Sequence, residues 1–157
     1  MRKGRDMVSR YGRPLGIIVL VAAALWVVGF GYWRFYVSNT LAAIETQAQQ
    51  AGAGGQYITV PAETMNDLRK AGDRALPAIV LALKSDQSGP FISAISAYFL
   101  ERVVRVIPLP NAEDLKIIPA DPADEKERKC EAIRSIWNQV GDTRFRWWKW
   151  WTDEGLE

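Results

Sequence analysis

Apolar and polar positions fall into three regimes along the chain: a short basic segment, an unbroken apolar run, and a long stretch where apolar residues recur at helical spacing. The run, Leu15–Trp33, is nineteen residues without a charged, amide or aliphatic hydroxyl side chain. About 20 helical residues rising 1.5 Å each cross the roughly 30 Å hydrocarbon layer of a bilayer. Only an uninterrupted helix satisfies its own backbone groups there, and the run contains three glycines but no proline. It predicts a transmembrane helix over 15–37, behind a tail at 1–14. Pro14 suits the first turn, where its missing N–H has no intrahelical partner. The run is longer than the about 7–15 apolar residues of a signal peptide, and aromatics and Arg34 follow it where a cleavage site needs small residues. An uncleaved anchor is therefore expected.

The stretch beyond the run, 38–60, begins with Ser38–Gln50, a helix-favouring sequence expected to continue the spanning helix as a stalk. Ala51-Gly-Ala-Gly-Gly55 then supplies a hinge, and Gln56–Val60 reads as a short extended lead into Pro61. The remainder, 61–157, predicts a small α-helical domain. Met65 and Leu68 suit a short helix ending near Gly72, with Asp73 placed to cap the next. Leu76, Ile79, Val80 and Leu83 then share one face. After a turn at Ser85–Gly89, Pro90 opens a helix whose Ile92, Ile95, Phe99, Val103 and Val106 fall in one arc. The uncharged stretch Gln87–Leu100 is too short to span and reads as a core helix.

Four prolines make 107–122 an extended connection. Asp121 as cap and Pro122 open a helix with Ile133, Ile136, Trp137 and Val140 on its apolar face, which Gly141 is expected to end. Asp142 then caps a last helix, TRFRWWKWWTDE. Its Phe145, Trp147, Trp148 and Trp151 fill a wide arc, and Trp150 lies outside it. Either all four tryptophans close the core, or Trp150 faces a partner or the bilayer surface.

Charge sets the expected orientation. Arg2, Lys3, Arg5, Arg10 and Arg13 precede the run against Asp6, whereas Arg34 is the only basic residue soon after it. The positive-inside rule then places the N-terminus in the cytoplasm and the helical domain outside, periplasmic if the membrane is a bacterial inner membrane. Tyr32, Trp33, Phe35 and Tyr36 would form an aromatic belt at the outer interface, with Arg34 reaching the headgroups. Residues 61–157 carry 14 basic and 16 acidic side chains, so the domain offers no basic excess, and nucleic acid is not an expected partner.

Candidate chemistry is sparse. Histidine is absent, which removes the usual haem ligand, the commonest zinc ligand and the most frequent general base. Cys130 is the single cysteine, so an intrachain disulfide or cysteine-built metal site is impossible, and it reads as a small buried hydrophobe. The Asp121, Asp124, Glu125 and Glu127 cluster lacks the spacing and glycine of a calcium loop, and favourable charge at a helix start accounts for it. No nucleophile–base pair is apparent by spacing. Neither catalytic, cofactor-binding nor metal residues are expected.

The pattern Ala71-Gly72-x-x-Ala75-Leu76-Pro77-x-Ile79-x-x-Ala82-Leu83, a polar turn with Asp86 and a second apolar helix from Pro90 resemble a HEAT-like helical repeat of the phycobilisome-lyase type. The Ala132-Ile133-x-x-Ile136 helix, followed by Gly141-Asp142 and the tryptophan-rich tail, is similar to the degenerate end of such domains. The resemblance covers about half of the chain. It departs from the family at the second helix, which lacks the Asp-x-x-Val-Arg start, and at the 16-residue connection between helix pairs. It implies a stacked-helix surface that binds proteins.

The expected protein is all-α: one N-terminal transmembrane helix plus a small extracytoplasmic, HEAT-like domain. The expected role is a non-catalytic structural or accessory subunit of a multi-subunit membrane complex, a build shared by small subunits of photosynthetic and respiratory assemblies. The alternative is a membrane-tethered adaptor in envelope biogenesis or secretion. Integral membrane subunits and the lipid bilayer are the expected partners. Tyr32, Trp33, Arg34, Tyr36, Trp147, Trp150 and Trp151 are the expected contact residues.

Overall fold

The computed structural model describes the backbone of residues 5–53 and 62–144 and the side chains of 16–50 and 62–141. Helix is the only regular structure among the described residues. Helix α1 (Arg5–Ala53) is 49 residues long. It is followed by α2 (Ala62–Ala71), a 3₁₀ turn (Gly72–Ala75), α3 (Leu76–Ala82), α4 (Gly89–Val106), a second 3₁₀ turn (Glu113–Leu115) and α5 (Ala123–Arg144). The extended lead at 56–60, part of the glycine hinge, and the tail with Trp147, Trp148, Trp150 and Trp151 lie outside the described residues.

The two halves of α1 meet different surroundings. Every residue of Gly16–Val28 is exposed, and the helix that carries them is long and apolar enough to cross a membrane. Beyond it, Val37, Leu41, Ile44 and Ala48 are buried among α2, α3 and α4. Steps of four, three and four residues make one continuous stripe on a helix. The segment set apart by sequence as a stalk thus continues the helix and is also one wall of the domain core. Burying each of Val37, Leu41 and Ile44 stabilises the fold by about 1.5–3 kcal/mol.

Polar contacts show how the chain returns along α1. The Thr64 hydroxyl donates to Gln47 Oε1 at 2.8 Å, and the Tyr36 hydroxyl donates to the Asp67 carbonyl at 3.3 Å. Arg74 reaches Trp33, with its guanidinium 4.6 Å from the ring centroid. Later residues of the domain therefore meet earlier residues of α1, and α2 leads back toward the apolar half. Gly72 follows α2 with φ 57°, a left-handed conformation that a side chain would oppose. The buried Tyr98 hydroxyl sits 3.1 Å from both the Leu68 and Gly72 carbonyls, at the C-terminal end of this helix. Burial pushes the Tyr98 phenol up to about 12.

The remaining core follows the expected helical faces. Leu76, Ile79, Val80 and Leu83 are buried on or just after α3, as are Ile92, Ile95, Phe99 and Val103 on α4, but Val106 at the end of α4 is 47% exposed. Cys130 is fully buried, and desolvation holds its thiol above the ordinary range. Two expected N-caps, Asp73 and Asp121, and one expected helix stop, Gly141, act otherwise. Asp73 lies inside the 3₁₀ turn, where its Oδ1 accepts from Arg102 Nε and Nη2 at 3.1 and 2.6 Å, tying the turn to α4. Asp121 accepts from the Ile118 amide at 2.9 Å and the Lys129 ammonium at 2.8 Å, fastening the proline-rich connection to α5. Gly141 does not end its helix, which continues to Arg144. A Cβ at Gly141 would lie 2.5–2.8 Å from three atoms of the Trp137 indole, so the glycine serves a close side-chain approach within the helix.

Candidate functional site

The aromatic belt of α1 divides between two faces. Tyr32 and Phe35 are 60% and 67% exposed, and Arg34 is exposed between them. Trp33 and Tyr36 are half-buried and turn toward the domain. Their rings meet edge to face with centroids 5.5 Å apart, and Trp33 packs similarly on Tyr32 at 5.7 Å. One turn of helix thus offers aromatic surface outward while fixing the domain inward.

Between this turn and the domain lies a cavity of about 200 Å³. Helix α1 contributes Phe30, Trp33, Arg34 and Val37 to its wall. The 3₁₀ turn contributes Arg74, and α3 adds Pro77, Ala78 and Leu81. Pro77 stands in the first turn of α3, where no amide donor is needed, and so offers a rigid apolar wall without breaking the helix. Leu81 points away from the buried face of α3 and is 73% exposed. Arg74 stacks over Trp33, which keeps its cation at the cavity. No carboxylate lines this cavity among the described residues.

A wider groove of about 410 Å³ continues from it along α1. Arg34, Ala78 and Leu81 border both spaces, and Glu45 and Gln87 border only the second. Glu45 is three helical turns from Arg34, about 16 Å along the axis. Charge along the groove is therefore polarised, with guanidiniums at the end near the apolar half of α1.

Of the residues expected from sequence to make contacts, Trp33 and Arg34 line the cavity, Tyr36 packs beside Trp33, and Tyr32 lies on the outward face. Trp147, Trp150 and Trp151 lie outside the described residues. Arg74 and Leu81 are not among the contact residues expected from sequence, and Pro77 enters there only as part of the repeat pattern. Leu81 carries a signal, being a leucine off the apolar face of its own helix; Arg74 carries none. Three of the four residues of the acidic cluster are engaged in ion pairs: Asp121 with Lys129 at 2.8 Å, Glu125 with Arg128 at 2.6 Å, and Glu127 with Arg134 at 3.7 Å. No family model matches the chain, and neither a curated protein nor a solved structure does.

Proposed function

We propose that this protein is a single-pass, non-catalytic accessory subunit of a membrane protein complex, holding a small helical domain at a fixed height above the bilayer. The carrying observation is that the helix long enough to cross a membrane is also a wall of the domain core, with Ile44 fully buried. An element shared between membrane and domain leaves little freedom of tilt or reach. That suits a subunit occupying one place in an assembly, as in photosynthetic or respiratory complexes.

A tethered adaptor gains from reach, and the glycine-rich segment is the feature that favours it. That segment joins α1 to α2, and both flanking helices are tied to each other through Gln47–Thr64 and Tyr36–Asp67. It therefore connects two parts of one folded unit and adds no length between domain and membrane. The HEAT-like reading has support in the packing of α3 against α4 through apolar faces that share one core.

The basic tail argues for a cytoplasmic N-terminus and a domain on the opposite side. In intact cells, an impermeant thiol reagent should label a cysteine introduced at Gly54 and spare one introduced at Lys3; the reverse pattern would invert the orientation. The role itself is tested by extraction in mild detergent. The proposal expects the protein to emerge in fixed stoichiometry with integral membrane subunits. A solitary chain that gains only a soluble partner would favour the adaptor.

A further inference from the structure

The cavity between α1 and α3 lies where the apolar half of α1 gives way to the folded domain. Phe30 is within the run that fits hydrocarbon, and Arg34 is one turn later, about 6 Å along the axis. A molecule in this cavity would meet apolar surface from Phe30, Pro77 and Leu81 and positive charge from Arg34 and Arg74. We propose that it binds the phosphate headgroup region of an anionic phospholipid from the leaflet on the domain side. The inference rests on the reading of α1 as a membrane-crossing helix.

Three observations favour a lipid over other occupants. First, guanidinium groups present planar, multiple N–H donors suited to phosphate oxygens. Arg34 makes no hydrogen bond or ion pair with any described residue, and Arg74 is held over Trp33. Second, the cations are placed beside apolar wall, which matches a phosphate joined to glycerol and acyl chains better than a free anion. Third, Glu45 stands at the far end of the connected groove, so an anion is favoured only at the membrane end. The site would place a lipid against both the membrane helix and the domain, strengthening the fixed height inferred above.

The test uses the full chain in mild detergent with dioctanoyl phosphatidylglycerol or dioctanoyl phosphatidylcholine, read by native mass spectrometry. The proposal expects the anionic lipid to remain bound about tenfold better than the zwitterionic one. Arg34→Gln should lose that preference while Cys130 stays protected from alkylation, which shows that the fold is intact. Equal retention of both lipids, or full retention by Arg34→Gln, would overturn the site. Displacement by inorganic phosphate at similar concentration would overturn the lipid as the occupant in favour of a free anion. A protein partner cross-linked to a photoreactive residue at Leu81, in native membranes and without lipid adducts, would overturn it in favour of a subunit interface. Flotation of the wild-type chain with neutral phosphatidylcholine vesicles checks the membrane reading separately. Failure there removes the anchor, whereas flotation with loss of lipid preference removes only this site.

Discussion

Replacing Ile44 with alanine separates a free stalk from a helix built into the domain. Ile44 is fully buried on the stripe it shares with Leu41 and Ala48. Truncating such a side chain costs about 2–5 kcal/mol, the lost transfer energy plus the cavity left behind. On a solvated stalk the same change would gain a few tenths of a kcal/mol, because alanine is the better helix former. The two pictures differ in sign. Cys130 supplies the assay: it is the single cysteine and fully buried, so alkylation against urea concentration in detergent reports domain unfolding. With a urea slope of about 1–3 kcal/mol per molar for a small domain, the midpoint should fall by on the order of 1 M. Gln50→Ala, an exposed change two residues beyond Ala48, should leave it unchanged. An unaltered or raised midpoint for Ile44→Ala would refute the packing of α1 into the core.

The same urea assay tests the turns. Gly72→Ala should lower stability by about 1–2 kcal/mol, because a Cβ opposes the left-handed backbone at φ 57°; an unchanged midpoint would contradict that conformation. Gly141→Ala should lower it by about 1 kcal/mol net, with displacement of the Trp137 ring outweighing the roughly 1 kcal/mol gained in helix propensity; a stabilised variant would show that the indole moves freely. Acid should weaken the Asp121–Lys129 link. Burial raises the Asp121 pKa, but the Lys129 ammonium and Ile118 amide outweigh it and hold the carboxyl below its ordinary range. A depressed carboxyl contributes stability above its unfolded pKa and loses it as pH falls through the folded value, so the loss belongs below about pH 4. Asp121→Asn should show a smaller fall in midpoint over that interval than wild type, and an equal fall would assign the acid sensitivity elsewhere.

Much of the helical layout was legible because apolar spacing reports which face of a helix is buried. The named face of α3 is buried throughout, and that of α4 is buried except for Val106, where α4 leaves the core; Phe91, Ser96, Tyr98 and Leu100 widen the buried face of α4 beyond the arc expected from spacing. Val37, Leu41, Ile44 and Ala48 also carry helical spacing, but the longer apolar run beside them and the glycines after them mask their shared burial in the domain core. Composition identifies a hinge-like segment without saying what its two ends are fastened to. Asp73, Asp121 and Gly141 have the right residue types for helix ends; their actual partners, Arg102, Lys129 and Trp137, required knowledge of distant or same-face contacts. At the candidate site, the aromatic belt was visible as local sequence. Arg74 was not, because its meeting with Trp33 depends on the return path of α2 along α1.

The central claim, that the domain is fixed against the membrane by a shared helix, is tested most directly by measuring the depth of Leu81. In a Cys130→Ala background, Leu81→Cys carries a fluorophore and the full chain is reconstituted with lipids bearing a nitroxide at headgroup level. Phe35→Cys on the exposed aromatic turn of α1 and Ala123→Cys at the start of α5 serve as references. The account expects quenching at position 81 to approach that at position 35. Quenching no stronger at 81 than for the same fluorophore free in solution would contradict it, because the domain would then stand away from the bilayer.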